Sequence, residues 1–353
     1  MTHRNENLTT GPAADPGLVD MLTHLLDKHR SRCVPSARVD LDRDLWQQLD
    51  QLGLTLLSTS EQQGGSGGTI LDSVALLGLA AGAGAAVPLA EHDLLAAWLL
   101  AEAGLPLHGE VRTAARPAAG GMSRSVPWGG QTDGVVALWH DEHDGVWRVS
   151  DFEGDGLHVA PEKDLSGLPR ASIQFDLQAL RAGTEVAPEV ADLYALRGSL
   201  ARCAQMAGAM EAALDVVVTY ANERVQFGRP LGRFQAVQHL VVGIAAEVSL
   251  ARAATDAAAQ AVMLRGWGDE HTRFLIAAAR SGVGHASSLV VRSAHQVLGA
   301  IGTTEEHPLH LLTTPVLAWR SDFGSMREWD AELTRFAVRT SRSGLWNHVA
   351  PLS

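Results

Sequence analysis

Residues 224–235 read Arg-Val-Gln-Phe-Gly-Arg-Pro-Leu-Gly-Arg-Phe-Gln, a turn set between two long stretches with helical apolar spacing. Gly228 can take the left-handed backbone that stops a helix, and Pro230 prevents its resumption. The next helix starts near Arg233, with its unpaired N–H groups facing the turn. Arg224, Arg229 and Arg233 converge there. A guanidinium fork matches phosphate oxygens and the helix dipole favours an anion, so the turn suits a phosphate or pyrophosphate. The plainer alternative is that Arg224 compensates its own helix C-terminus and the other two arginines are solvated.

Outward from this turn the chain stays helical, in four segments at about 188–225, 233–266, 269–300 and 306–343. In the first, Leu196, Leu200, Cys203, Ala207, Met210, Leu214, Val217 and Ala221 form a narrow stripe that packs between helices. Helices of about 30 residues joined by short connections predict an antiparallel four-helix bundle over 188–353. Toward the N-terminus, residues 105–187 change texture, with short apolar runs alternating with turns. Asp144-Gly145 marks a hairpin and Asp155-Gly156 a second turn, predicting a small middle β domain of about five strands. Residues 17–104 return to helical spacing, with Pro35 between the first two helices, a loop Glu-Gln-Gln-Gly-Gly-Ser-Gly-Gly at 61–68, and Gly104 as a C-terminal stop. Residues 1–16 are polar and predict a disordered leader. The fold class is mainly α with a small β domain, in the order N-terminal helical domain, short middle β domain, C-terminal four-helix bundle.

At 353 residues, and about 150 per domain, two or three such units are expected. Apolar residues at 46 % with 19 % charged exclude wholesale disorder. A net charge of −12 disfavours a phosphate backbone as partner, so no nucleic acid is expected. Cys33 and Cys203 belong to no metal-ligand spacing, which excludes disulfide scaffolds and zinc ribbons. With neither a secretory leader nor an uninterrupted apolar run of about 18 residues, the expectation is a cytoplasmic, reduced protein with no membrane partner.

The string at 224–238 resembles the signature of the acyl-CoA dehydrogenase family, Arg-x-x-Phe-Gly-x-x-Leu-x-x-x-Gln. A second stretch, His-Gln-Val-Leu-Gly-Ala-Ile-Gly at 295–302 followed by Glu-Glu-His-Pro, is similar to the family's Gln-x-x-Gly-Gly-x-Gly motif with its acidic and proline group. The loop at 61–68 resembles the family's Gly-Gly-x-Gly loop. The resemblance spans about 18–342, strongest in the bundle and weakest in the β unit. It implies an acyl-CoA dehydrogenase-like fold and a flavoenzyme of lipid metabolism whose FAD lies across a subunit interface. Arg224, Phe227 and Gln235, together with Gln296, Val297, Leu298, Gly299 and Ala300, match positions that hold the pyrophosphate and adenine end of a neighbouring subunit's FAD. Ala300 stands where a glycine is commoner.

Such an enzyme desaturates a CoA thioester: a carboxylate takes the α proton while the β hydrogen leaves as hydride to the flavin. Family spacing places that carboxylate at Phe323 or near Gly198, and neither is acidic. The nearest carboxylate, Asp322, is the candidate base, with a solvated or capping acid as its plainer reading. The family's Thr-Glu-Pro-x-x-Gly-Ser-Asp segment is also missing from the β unit. This pattern is similar to the short subunits of heteromeric acyl-CoA dehydrogenases of actinobacteria, in which two unlike chains share each FAD and only one supplies the base, often for bulky or steroid-derived acyl groups. The resemblance therefore implies an FAD-dependent acyl-CoA dehydrogenase subunit, with an acyl-CoA substrate and a second, related chain or a second copy as partner. The alternatives are a non-catalytic structural subunit that completes a partner's FAD site, and a flavin-dependent oxygenase of the same fold. His307 and His310, and His140 and His143, are weighed as metal ligands and not assigned; no metal is expected. Trp128, Trp139 and Trp147 are expected in packing, and Trp319 and Trp329 beside the candidate base are assigned nothing.

Overall fold

The structure is a computed structural model that describes residues 12–30, 40–107, 109–340 and 344; Cys33 and Pro35 lie outside these. The N-terminal part holds α1 (Pro16–Arg30), α2 (Arg43–Gln51) and α3 (Ile70–Gly82), then a π-helical segment Ala90–Ala97 that runs on into α4 (Trp98–Glu102). Thr69 and Asp72 cap α3 reciprocally. The leader expected over 1–16 is corrected at its end. Residues 12–15 are tied down, with the Asp15 N–H donating to Asp72 Oδ1 at 2.8 Å and Gln260 Nε2 donating to the Pro12 carbonyl at 3.1 Å.

The β unit has seven strands where about five were expected. They are β1 (Arg112–Ala115), β2 (Met122–Pro127), β3 (Gly134–Asp141), β4 (Val146–Glu153), β5 (His158–Lys163), β6 (Pro169–Gln174) and, after α5 (Leu177–Arg181), β7 (Thr184–Val186). One sheet has the order β1-β3-β4-β7, with β1 parallel to β3; the other is β2-β6-β5, antiparallel. Asp144-Gly145 forms the β3–β4 turn, with Gly145 at φ 75°. Trp139, Ile173 and Phe175 fill a core within this unit.

From Glu189 the chain is helical: α6 (Glu189–Glu223), the two-residue strands β8 (Val225–Gln226) and β9 (Arg229–Pro230), α7 (Gln235–Arg265) and α8 (Glu270–Leu298). The fourth helix, expected as one piece over 306–343, is two: α9 (His310–Trp319) and α10 (Met326–Arg339). A turn over 320–325 separates them, and the Ser325 cap of α10 fixes the break. The α6 stripe is buried apart from Leu214, which is partly exposed, yet α6 is far more than a stripe. It is buried on nearly every side between Leu196 and Ala213 because α3, α7, α8 and α9 all pack on it. Gly208 makes that possible: a Cβ there would lie 2.0 Å from the Gly78 carbonyl oxygen of α3. Consequently α1–α3 and α6–α9 share a single apolar core. α8 with the turn after it is long and apolar enough to span a membrane, but more than half of its most apolar window is buried inside the protein.

Candidate active site

Three consecutive antiparallel helices put the 224–235 turn and the 296–300 segment at the same end of the bundle. Tyr220, one turn before the end of α6, stacks edge-on against His307 beyond α8, with ring centroids 6.2 Å apart. The turn itself is a β8–β9 hairpin, with Phe227 at φ 52° and Gly228 at φ 80°. Phe227 is 90 % exposed, an apolar ring presented to solvent. Arg229 lies over the Phe234 ring at 4.1 Å, and Arg224 makes no ion pair among the described residues. Phe234 is the N-cap of α7 and offers no capping oxygen, so the first N–H groups of α7 are left open. Gln235 on the first turn of α7 and Gln296 on the last turn of α8 are both exposed. Gly299 has φ 66° and open space where a Cβ would stand.

Two residues of the expected set face elsewhere. Val297 and Leu298 are 6 % and 3 % exposed and belong to the common core, because the helical period turns these two positions inward. Their side chains therefore do not line the surface that Gln296, Gly299 and Ala300 expose. The Ala300 carbonyl accepts from Thr303 Oγ1 at 2.8 Å. Of the four histidines weighed for metal, the two at this end are engaged with backbone: His307 Nδ1 accepts the Leu309 N–H, and His310 Nδ1 meets the His307 carbonyl oxygen at 2.8 Å.

Asp322 lies far from that end, opposite Arg202, 22 residues before Arg224 on α6 and hence roughly 33 Å along its axis. The two positions to which family spacing assigns a base, Phe323 and Gly198, meet in space. A Cβ on Gly198 would lie 2.4 Å from the Phe323 ring. Phe323 itself is held at φ 55°, with its ring edge-on to Tyr194 at 5.7 Å and the Arg202 guanidinium 5.6 Å away. Arg280 fixes the turn by donating to the carbonyls of Trp319 and Asp322, each at 2.7 Å.

The candidate base is itself engaged. Asp322 Oδ2 accepts from Arg170 Nη2 and from Arg202 Nε, both at 2.9 Å. Arg202 also donates to Glu91 Oε1 at 2.5 Å and to Gln205 Oε1, while Arg170 donates to Asp164 and to the Ser125 carbonyl. Burial alone would raise the Asp322 pKa, but Arg202 and Arg170 outweigh it and hold the carboxyl below its ordinary range. A carboxylate so stabilised as an anion is a poorer proton acceptor than a free one, and Asp322 is held in ion pairs with both arginines. The sequence reading missed Glu91, Arg170 and Arg202. The one local signal was Arg202 set within the apolar stretch of α6 between Leu196 and Ala213.

With this geometry in view, the family models for the acyl-CoA dehydrogenase N-terminal domain and C-terminal domain match residues 21–106 and 190–324. The chain belongs to the acyl-CoA dehydrogenase family. Acyl-CoA dehydrogenases are FAD-dependent oxidoreductases acting on acyl-CoA thioesters. Acyl-CoA dehydrogenase FadE34 of Mycobacterium tuberculosis is 32 % identical over 288 residues, covering 77 % of this chain and only 39 % of that longer protein. Acyl-CoA dehydrogenase IpdE2 of the same organism is 28 % identical over 319 residues, covering 86 % of this chain and 90 % of IpdE2. Among solved structures, the ChsE4-ChsE5 complex from M. tuberculosis superposes with a TM-score of 0.80 at 21 % identity, covering 94 % of this chain and 99 % of that one. A Tcur3481-Tcur3483 steroid acyl-CoA dehydrogenase gives 0.76 at 21 % identity, with coverage of 92 % and 97 %. The bundle end fits the family's cofactor: an open guanidinium and an uncapped helix start suit a diphosphate, and Gly299, at the same end of the bundle, has open space about it.

Proposed function

We propose that this chain is the base-lacking subunit of a two-chain acyl-CoA dehydrogenase. Its bundle end would complete the FAD site of an unlike, base-bearing partner. One observation carries the reading: the two family base positions touch each other and bear an aromatic ring and a bare Cα, while the neighbouring carboxylate is bound by two arginines. Bound FAD would supply the hydride acceptor for α,β-desaturation of a CoA thioester. Arg224 and the first turn of α7 would hold its diphosphate, and Gln235 and Gln296 would flank its adenine end. Two structural neighbours, the ChsE4-ChsE5 complex and the Tcur3481-Tcur3483 steroid acyl-CoA dehydrogenase, support a heteromer and a bulky acyl group.

The test is native mass, flavin absorbance and dye-linked turnover of the chain alone and with its co-expressed partner. The chain alone is expected to be inactive. The complex should hold FAD and turn over at an unchanged rate with Asp322→Asn, and Arg224→Ala in the complex should release flavin. Turnover by the isolated chain, with one FAD per copy, would overturn the reading.

A further inference from the structure

Arg197 on α6 carries a cation that no described residue pairs. Its Nε is buried without an acceptor, and neither Nη bonds to any described residue. Two indole rings flank the guanidinium instead: Trp98 of α4, with its centroid 4.4 Å away, and Trp267 of the α7–α8 turn, at 4.6 Å. Both rings are held in place. Trp98 Nε1 donates to Glu102 Oε1 at 2.9 Å, and Trp267 packs against the common core. The helical period sets Arg197 about 100° around α6 from Gly198. It lines no part of the cleft beside the 320–325 turn.

Burying an unpaired cation is costly. Burial pulls the Arg197 pKa from 12.5 down to about 10, and the nearby charges of Glu102 and Asp93 recover only part of that, so the group stays charged at neutral pH. Both carboxyls are engaged elsewhere, Glu102 with the Trp98 indole and Asp93 with the Ser58 N–H and Thr59 Oγ1. Ring faces attract the flat of a guanidinium, whereas its N–H groups point outward in its own plane and need an acceptor there. Met263 and Leu264, on the last turn of α7 just before Trp267, are exposed and give this surface an apolar margin.

We infer that Arg197 is the binding point for a carboxylate brought by another molecule, the carboxylate lying in the plane of the guanidinium edge and its apolar body against Trp267, Met263 and Leu264. A carboxylate matches the guanidinium fork in plane and spacing, and its flatness suits a position flanked by two indole rings. Its source is either an acidic side chain of a partner protein or a free organic acid. The site is independent of the bundle-end reading, since Arg197 lies 27 residues before Arg224 on α6, roughly 40 Å along its axis.

The experiment is fluorine NMR of para-fluorobenzoate with the full chain, or with its complex where a partner co-purifies. The uncharged control is para-fluorobenzyl alcohol, and the competitors are acetyl-Leu-Glu-Leu-amide and its Gln counterpart. The benzoate is expected to bind and the alcohol not to. Displacement by the Glu peptide and not by the Gln peptide assigns the carboxylate to a protein side chain; benzoate binding that neither peptide displaces assigns it to a free acid. Arg197→Gln should weaken benzoate binding at least about tenfold. Arg197→Lys, which keeps the charge without the fork, should retain part of the affinity, and Trp267→Leu, which keeps the cation and removes one ring, should lower it less than Arg197→Gln does. These two variants carry the test if Arg197→Gln folds poorly. Arg224→Ala should leave the binding unchanged. Failure of the benzoate to bind, equal binding of the alcohol, binding that the Arg197 and Trp267 substitutions do not alter, or binding lost with Arg224→Ala would each overturn the assignment.

Discussion

The hydrogen at Gly198 is what allows the Phe323 ring to lie across α6, since any Cβ there would sit 2.4 Å from the ring. Gly198→Ala is expected to cost about 1–3 kcal/mol by overpacking, read as a lower denaturant midpoint at an unchanged slope. Adding Phe323→Ala removes the obstacle, so the double variant should be less destabilised than the two single losses added together. Strict additivity would show that the two residues do not press on each other. Counting from the family motifs finds both positions in the sequence. Their meeting, 125 residues apart, is not legible there, because nothing local to either residue encodes it.

Three consecutive ionisable residues, Glu91, His92 and Asp93, are buried within the π-helical segment Ala90–Ala97, where the sequence predicts only another helical run. The wider winding brings all three inward, and each finds a partner. His92 Nδ1 accepts the Arg112 N–H, and Asp93 accepts from the Ser58 N–H and Thr59 Oγ1, which pins the segment before the glycine-rich loop. Burial lowers the His92 pKa from 6.5 to about 4 and raises that of Asp93 from 3.8 to about 6. The signs oppose. Between about pH 4 and 6.5 the unfolded chain protonates His92 and the folded protein does not, so this group makes stability rise with pH. Between about pH 4 and 6 the folded protein keeps a proton on Asp93 that the unfolded chain has lost, so stability falls as pH rises through that window. Asp93→Asn removes the second contribution. Its melting temperature should climb more steeply than that of the parent from pH 4 to 6, and parallel curves would show that Asp93 is ionised in the fold.

Across the whole molecule, Glu91, Arg202, Asp322, Arg170 and Asp164 form a line of alternating charges that joins the N-terminal helices, the bundle and the β unit. Asp322 is its centre and is mostly buried, at 13 % side-chain exposure. Removing it leaves two guanidiniums without their shared anion, so Asp322→Ala is expected to cost about 3–5 kcal/mol in equilibrium denaturation. A loss below about 1 kcal/mol would show that water screens the line. The same geometry ties the turnover expectation to this scale: a carboxylate spent on holding three parts together is not free to take a substrate proton.

Helix and strand order, the stop at Gly228 and Pro230 and the hairpin at Asp144-Gly145 are written in the sequence, because periodicity and turn chemistry act over a few residues. So is the family, whose motifs lie in short contiguous strings. The meeting of Phe323 with Gly198 and the capture of Asp322 by arginines 120 and 152 residues away were decided only by the tertiary structure. So was the flanking of Arg197 by Trp98 and Trp267. The physical reason is that a charge buried by packing is defined by the partners that packing brings to it, and those partners leave no mark on the residues next to it in the chain.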